Sequence, residues 1–231
     1  MNNIIWHNFA SGEELAETLA KEVAEHLSAA VQSRGTGLIA VSGGSTPPPF
    51  FRALSNATID WPRITVTLVD ERFVPPSADR SNARLAAQHL LQRQAASADF
   101  VGLYHDLDSV EEAADHADRL LETLPLPLDV AVLGMGTDGH TASFFPDADN
   151  LPALLDVNGK RRVLPVHTAS GGEPRLTLTM PLLRDAGFLA LHIEGAEKKA
   201  VLEKALAPSG DGLKHPIRAV VEQAKRPVHV Y

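Results

Sequence analysis

Apolar positions along this chain follow two rhythms, short unbroken runs and runs spaced four apart, and the two alternate. Residues 4–9 read as a first strand. Ser11 and Glu14 then form an S-x-x-E box, in which hydroxyl and carboxylate satisfy free N–H groups at a helix start. Behind it Leu15, Leu19, Val23 and Leu27 recur on one face of a long amphipathic helix. Residues 38–41 are a short apolar run, a candidate buried strand. It empties into Ser42-Gly43-Gly44-Ser45-Thr46, after which Pro47 opens a helix at its first position.

The same alternation continues. Residues 64–69 read as a strand ending in Asp70-Glu71-Arg72, and Ser81 or Asn82 caps a helix running to about Gln94. Ser109 and Glu112 repeat the capping box before another helix. Residues 128–133 form an apolar strand that enters a glycine-rich segment. Further strands are expected at 163–166, 176–179 and 188–193, with a helix near 197–206. Strands alternating with helices predict an α/β protein whose largely parallel sheet is covered on both faces. In such sheets ligands bind beyond the carboxyl ends of the strands. The loops 42–46, 70–72 and 134–140 all follow apolar strands, so all three should open on one edge.

Composition narrows the functional classes. The 231 residues are 44% hydrophobic and 22% charged, as expected of a soluble globular protein. The sequence contains no cysteine, which removes disulfides, thiolate nucleophiles and Cys-ligated zinc. A formal net charge of −8 argues against nucleic acid or an anionic membrane as the main partner. An anionic ligand must instead be held by local Arg, Lys and backbone N–H groups. There is no basic region followed by an apolar run at the N-terminus and no stretch of 18 apolar residues. The expected location is the cytoplasm.

Three segments carry possible chemistry. In VSGGSTPPPF, Gly43 and Gly44 allow a tight backbone turn, while Ser45, Thr46 and the N–H groups beyond them favour an anion. An ordinary strand-to-helix turn is the plainer alternative. The Gly-Lys-Ser/Thr ending of a nucleotide P-loop is missing. In TLVDERF, two acids and an arginine end an apolar strand. They are either a surface ion group or a site in which Arg72 holds a substrate oxygen and Asp70 orients a hydroxyl or a proton-transfer group. LGMGTDGHTASFFPD spells G-x-G-x-x-G through Gly134, Gly136 and Gly139. A histidine follows the third glycine, however, and Pro146 allows only a short helix, so dinucleotide binding is disfavoured. The glycines instead bring Asp138 and His140 to the strand edge, where a histidine beside an acid suits general-base work near neutral pH. Arg175 heads the alternating run RLTLTM, and Lys198 lies in the first turn of a helix. Alone each is a surface charge; beside the 42–46 loop they would hold a phosphate.

Taken together, SGGSTP, VDERFVP with Ser81, Asn82 and Arg84, GMGTDGHTASFFP, PRLTLT and GAEKKAVLEKAL occur in this order across residues 42–206. The set resembles the 6-phosphogluconolactonase family, within a superfamily that includes glucosamine-6-phosphate deaminases. The resemblance implies a three-layer αβα Rossmann-like fold in a single domain over 1–231. It also implies hydrolysis of a small sugar-phosphate lactone without metal or organic cofactor, by a monomer or weak homodimer. Under it Gly43, Gly44, Ser45 and Thr46 cradle the 6-phosphate, with Arg175 and Lys198 as countercharges. His140 is the general base, supported by Asp138, and Asp70 and Arg72 line the sugar end. The related deaminases continue their glycine-rich motif as GHIAFNEP, where this chain has Gly-His-Thr-Ala-Ser-Phe-Phe-Pro. The missing Asn-Glu pair and the Arg72 in place of a DEY-type ending favour the lactonases over the deaminases. A non-catalytic sugar-phosphate sensor is a third reading, disfavoured because no helix-turn-helix appendage or basic face accompanies the Asp-Gly-His segment. The C-terminal PIRAVVEQAKRPVHVY lacks the Trp-Asp ending common in the lactonases, and the sequence assigns it no role.

Overall fold

The structure, a computed structural model, describes residues 3–231. Strand β1 (Ile4–Trp6) leads to helix α1 (Gly12–Arg34), and β2 (Gly37–Val41) leads through the glycine loop to α2 (Pro48–Leu54). Next come β3 (Ile64–Leu68), β4 (Asp70–Arg72), α3 (Asn82–His89), β5 (Asp99–Val101) and α4 (Val110–Glu122). The second half holds β6 (Val130–Leu133), α5 (Leu151–Leu154), β7 (Val163–Val166), β8 (Arg175–Leu178) and α6 (Met180–Arg184). It ends with β9 (Phe188–Leu191), α7 (Ala196–Leu206), α8 (Pro216–Gln223) and β10 (Val228–Val230).

Seven strands form one sheet in the order β1-β10-β9-β6-β2-β3-β5, and every neighbouring pair is parallel. All residues of β2, β6 and β9 are buried. Unbroken burial of both side-chain rows requires cover on both faces, as the apolar runs predict. The expected α/β class and largely parallel sheet are therefore observed. A second sheet, β4-β8-β7, is antiparallel and was not expected. Its origin is local: the peptide of Val69 belongs to both sheets, donating its N–H to Val41 O at 2.9 Å and accepting from Leu178 N–H at 2.9 Å. Residues 64–72 thus form two strands joined at a bend, where the pattern suggests one strand and a polar loop.

Capping follows the sequence closely. Ser11 Oγ accepts from Glu14 N–H and Ser109 Oγ from Glu112 N–H, each at 3.2 Å. Ser81, not Asn82, caps α3, accepting from Arg84 N–H at 3.2 Å. That helix stops at His89 rather than near Gln94. The chain is already extended at Gln92 and passes Arg93 at a φ of 50°, and Gln94 N–H then donates to Ser55 O at 3.1 Å. Besides β4, the pattern misses β5 and β10, three residues each and too short to show a period. The C-terminal segment has a clear structural role, because β10 inserts between β1 and β9.

Helix α1 lays its fourfold apolar row on the sheet, with Leu19, Val23 and Leu27 fully buried. Truncating Leu27 to Ala is expected to cost about 2–5 kcal/mol through lost burial and a residual cavity. Urea denaturation is the check, with Glu25→Ala on the exposed face as a control that should shift stability by less than about 0.5 kcal/mol.

Candidate active site

The order of the main sheet reverses at β2: β3 and β5 extend to one side, while β6 and β9 lie on the other. Loops leaving β2 and β6 therefore diverge and leave a crevice at the carboxyl edge of the sheet. A cavity of about 190 Å³ occupies it. Its walls are Ser42–Pro47 after β2, Asp70 and Arg72 from β4, Asn82 at the start of α3, and Gly134, Met135, Gly136, His140 and Ala142 after β6. Arg175 of β8, His192 at the end of β9 and Lys198 of α7 complete it. Nine of the ten residues singled out from sequence line this one cavity; Asp138 stands behind His140.

The β2 loop and the β6 loop are tied directly, Gly134 N–H donating to Ser42 Oγ at 3.2 Å. Gly43 is required by close approach, since a Cβ there would lie 1.8 Å from Asn82 Oδ1. Asn82 is itself held by its Nδ2–H donating to Asp70 O at 2.8 Å. Beneath it, the buried Glu71 carboxylate accepts from the N–H groups of Arg72, Asn82 and Ala83 at 2.7–2.8 Å and from Ser81 Oγ–H at 3.0 Å. Burial pushes the Glu71 carboxyl above the ordinary range despite these four donors. Glu71 therefore organises the wall and does not face the cavity, while its neighbours Asp70 and Arg72 do.

In the glycine-rich segment no helix begins after Gly139; the chain passes through turns until α5. That geometry lacks the helix start that a dinucleotide fingerprint needs. Instead Asp138 Oδ1 sits 2.6 Å from His140 Nδ1 and accepts His140 N–H at 3.2 Å. A Cβ on Gly136 would fall 2.3 Å from the imidazole and 2.6 Å from Asp138 Oδ1, so only glycine admits this pair. Burial raises the Asp138 carboxyl, but hydrogen bonds and charge from His140 outweigh it and hold the group below its ordinary range. An ionised Asp138 fixes the tautomer that carries the proton on Nδ1 and leaves the Nε2 lone pair available. Phe145 stacks on the His140 ring at 4.3 Å.

Three cations and one carboxylate line the cavity, reversing locally the sign of a chain with net charge −8. Arg72 and Arg175 are directly opposed across the β4–β8 ladder, a pairing that is unfavourable for like charges unless something compensates. Arg175 is 7% exposed. It donates to Gly171 O at 2.7 Å, lies 4.0 Å from Asp70 Oδ2 and 5.3 Å from the Phe145 ring centre. Burial, partly offset by Asp70, pulls its affinity for the proton below the ordinary guanidinium value. Asp70 also accepts from the buried Ser143 Oγ–H at 2.7 Å. Lys198 stands in the first turn of α7, the end where the helix dipole disfavours a cation. Its Nζ reaches Thr46 Oγ1 at 3.5 Å, so it joins the glycine loop as anticipated. Arg175 meets Asp70 rather than that loop, although both border the same space.

A family model describing glucosamine-6-phosphate isomerases/6-phosphogluconolactonase matches residues 10–229. This chain belongs to that family. A Mesorhizobium japonicum protein named 6-phosphogluconolactonase is 56% identical over 226 residues, covering 98% of this chain and 94% of that protein. Its Rhizobium meliloti namesake is 53% identical, covering 97% of each. Among solved structures, a 6-phosphogluconolactonase from Shewanella baltica superimposes with a TM-score of 0.94 at 39% identity, covering 98% of this chain and 96% of that one. The family and the fold inferred from the motifs are thus correct.

Sequence reasoning did not single out Ser143, which bonds Asp70, Phe145, which stacks on His140, or His192 in the cavity wall. Ser143 and Phe145 sit inside the glycine-rich motif, in which Asp138 and His140 carry the readable acid–base pattern. His192 carries no motif at all; only its position just past a buried strand could have flagged it. Burial, with the Lys198 charge adding to it, lowers the His192 imidazole to about 4. The unfolded chain, with an imidazole near the ordinary ~6.5, therefore takes up the proton first. Stability from this site is whole above about pH 6.5 and drains as pH falls toward 4, by on the order of 2 kcal/mol at pH 5. Lys198 is the charge that adds to burial, and the Glu194 carboxylate also faces the ring, 3.4 Å from Nε2. Replacing His192 with Phe should flatten the decline of the melting temperature between pH 6.5 and 4.5; an unchanged decline would assign acid lability to other groups.

Proposed function

We propose that this protein hydrolyses 6-phospho-D-glucono-1,5-lactone to 6-phospho-D-gluconate, with His140 as the general base. The observation that carries the reading is the His140–Asp138 pair, Nδ1 engaged at 2.6 Å, in the wall of a cavity bordered by three cations. The glycine loop, with Lys198 beside Thr46, takes the 6-phosphate, and Arg175 supplies further positive charge. Phosphate anchorage turns binding energy remote from the reaction into orientation of C1 over His140. Asp70, already fixed by Ser143 and Arg175, orients a sugar hydroxyl.

The chemistry needs only proton transfer and charge stabilisation. Water attacks the C1 carbonyl as His140 Nε2 takes its proton, and Asp138 stabilises the imidazolium. Arg72 or a loop N–H faces the oxyanion that develops. The tetrahedral intermediate then expels the ring oxygen, which receives the proton from Nε2, and the new carboxylic acid ionises. A deaminase reading fits less well, because Phe145 stands where the GHIAFNEP motif has its glutamate and stacks on the base instead. We further propose a cytoplasmic enzyme, monomeric or weakly dimeric.

His140→Ala should lower kcat by about 10²–10⁴-fold, the usual size of acid–base catalysis. The assay is hydrolysis of freshly made lactone measured against its spontaneous rate, and near-normal turnover would remove His140 from the role. Lys198→Ala and Arg175→Ala should chiefly raise KM for the phosphorylated lactone, by about tenfold or more if a charge-assisted hydrogen bond is lost. Normal binding of 6-phosphogluconate by both variants would place the phosphate elsewhere.

A further inference from the structure

One buried residue in the cavity wall has no part in the scheme above. His192 follows β9 and is 3% exposed, yet it borders the cavity beside Lys198 and the glycine loop. Its backbone is fixed, His192 N–H donating to Leu133 O at 2.8 Å. Its ring meets Phe50 edge-on at 6.0 Å. Neither ring nitrogen has a hydrogen-bond partner among the described residues. Glu194 Oε1 is 3.4 Å from Nε2 but is not aligned to accept from it.

Buried polar groups are almost always satisfied, and an orphaned imidazole disfavours the empty protein. Such a group is readily retained where a ligand supplies the missing partner. We propose that His192 is a substrate-binding residue for the phosphate-bearing end of the ligand, donating a ring N–H to one of its oxygens beside Lys198. The assignment rests on the sugar-phosphate reading of the cavity. Burial and the adjacent Lys198 keep the imidazole neutral, and neutrality suits this place. A second cation beside Lys198 would repel it in the empty site, whereas a neutral donor adds direction without that repulsion. Each neutral imidazole also has one donor and one acceptor nitrogen, so it rewards an oxygen only in one tautomer and orientation.

A structural histidine and a ligand-binding one respond oppositely to replacement. His192→Phe should leave the ligand-free melting temperature unchanged or higher, because an unsatisfied polar group is removed. It should shrink the stabilisation by 6-phosphogluconate and raise KM about tenfold, with kcat within about threefold. His192→Asn, which keeps a donor, should recover much of that KM. In the wild-type protein, the ring ¹⁵N signals of His192 should move on saturation with 6-phosphogluconate, a readout independent of how any variant folds. A lower ligand-free melting temperature with wild-type KM and full ligand stabilisation would overturn the assignment, as would ¹⁵N signals that stay fixed at saturation. If the wild-type protein itself gains no stability from 6-phosphogluconate, the sugar-phosphate reading fails and takes this assignment with it. If it does and His192→Phe gains as much, only the role of His192 fails.

Discussion

The peptide of Val69 hydrogen-bonds to two sheets at once, its N–H to Val41 O and its carbonyl to Leu178 N–H. Most of the site depends on that crossing. It ends β3 in the parallel sheet and starts β4 in the antiparallel one, so Asp70 and Arg72 are carried over the loop that leaves β2. Because β4 pairs with β8 in a fixed register, Arg175 is set opposite Arg72 by the same bonds. A slip of one residue would exchange the faces of these side chains. The buried Glu71 resists such a slip by gathering three N–H groups and the Ser81 hydroxyl from both sides of the following loop.

The charge arrangement built on this frame is unfavourable in the empty protein. Two arginines face each other across a ladder, and a lysine stands at the wrong end of a helix dipole. Local compensation exists, since Asp70 lies 4.0 Å from Arg175 and Glu173 pairs with Arg80 at 2.8 Å. It is incomplete, with three cations against one carboxylate at the cavity wall. In a protein of net charge −8, such a crevice offers an anion a local field opposite to that of the chain as a whole. The same conflict with ordinary stability rules marks Ala142, which lines the cavity with a φ of 52°.

Features written in local patterns were legible from sequence. The fourfold row of α1, the Ser11 and Ser109 caps, and the buried runs of β2 and β6 are each encoded within a few residues. The site was legible for a different reason: its loops directly follow apolar strands, and parallel strands deliver such loops to one edge. What escaped depends on distant pairing. The antiparallel sheet arises from Val69 meeting Leu178, more than one hundred residues away, and β10 is a strand only because β1 and β9 flank it. Three-residue strands carry no readable period. His192 escaped because burial, not a neighbour in sequence, gives it its character.

Phe145 stands at a position where this chain departs from the related deaminase motif. Aligned on Gly139-His140, it takes the place of the glutamate in the deaminase motif GHIAFNEP. A carboxylate there would border both His140 and Arg175, where Phe145 now stacks at 4.3 Å on one and lies 5.3 Å from the other. An acid would compete with Asp138 for the imidazole and would neutralise the guanidinium. The aromatic ring does neither: it covers one face of the His140 imidazole and leaves Arg175 its charge. The adjacent Ser143 completes the substitution, spending its hydroxyl on Asp70 rather than on the histidine. His140 is left with a single carboxylate partner on Nδ1, the arrangement on which its proposed role as general base rests.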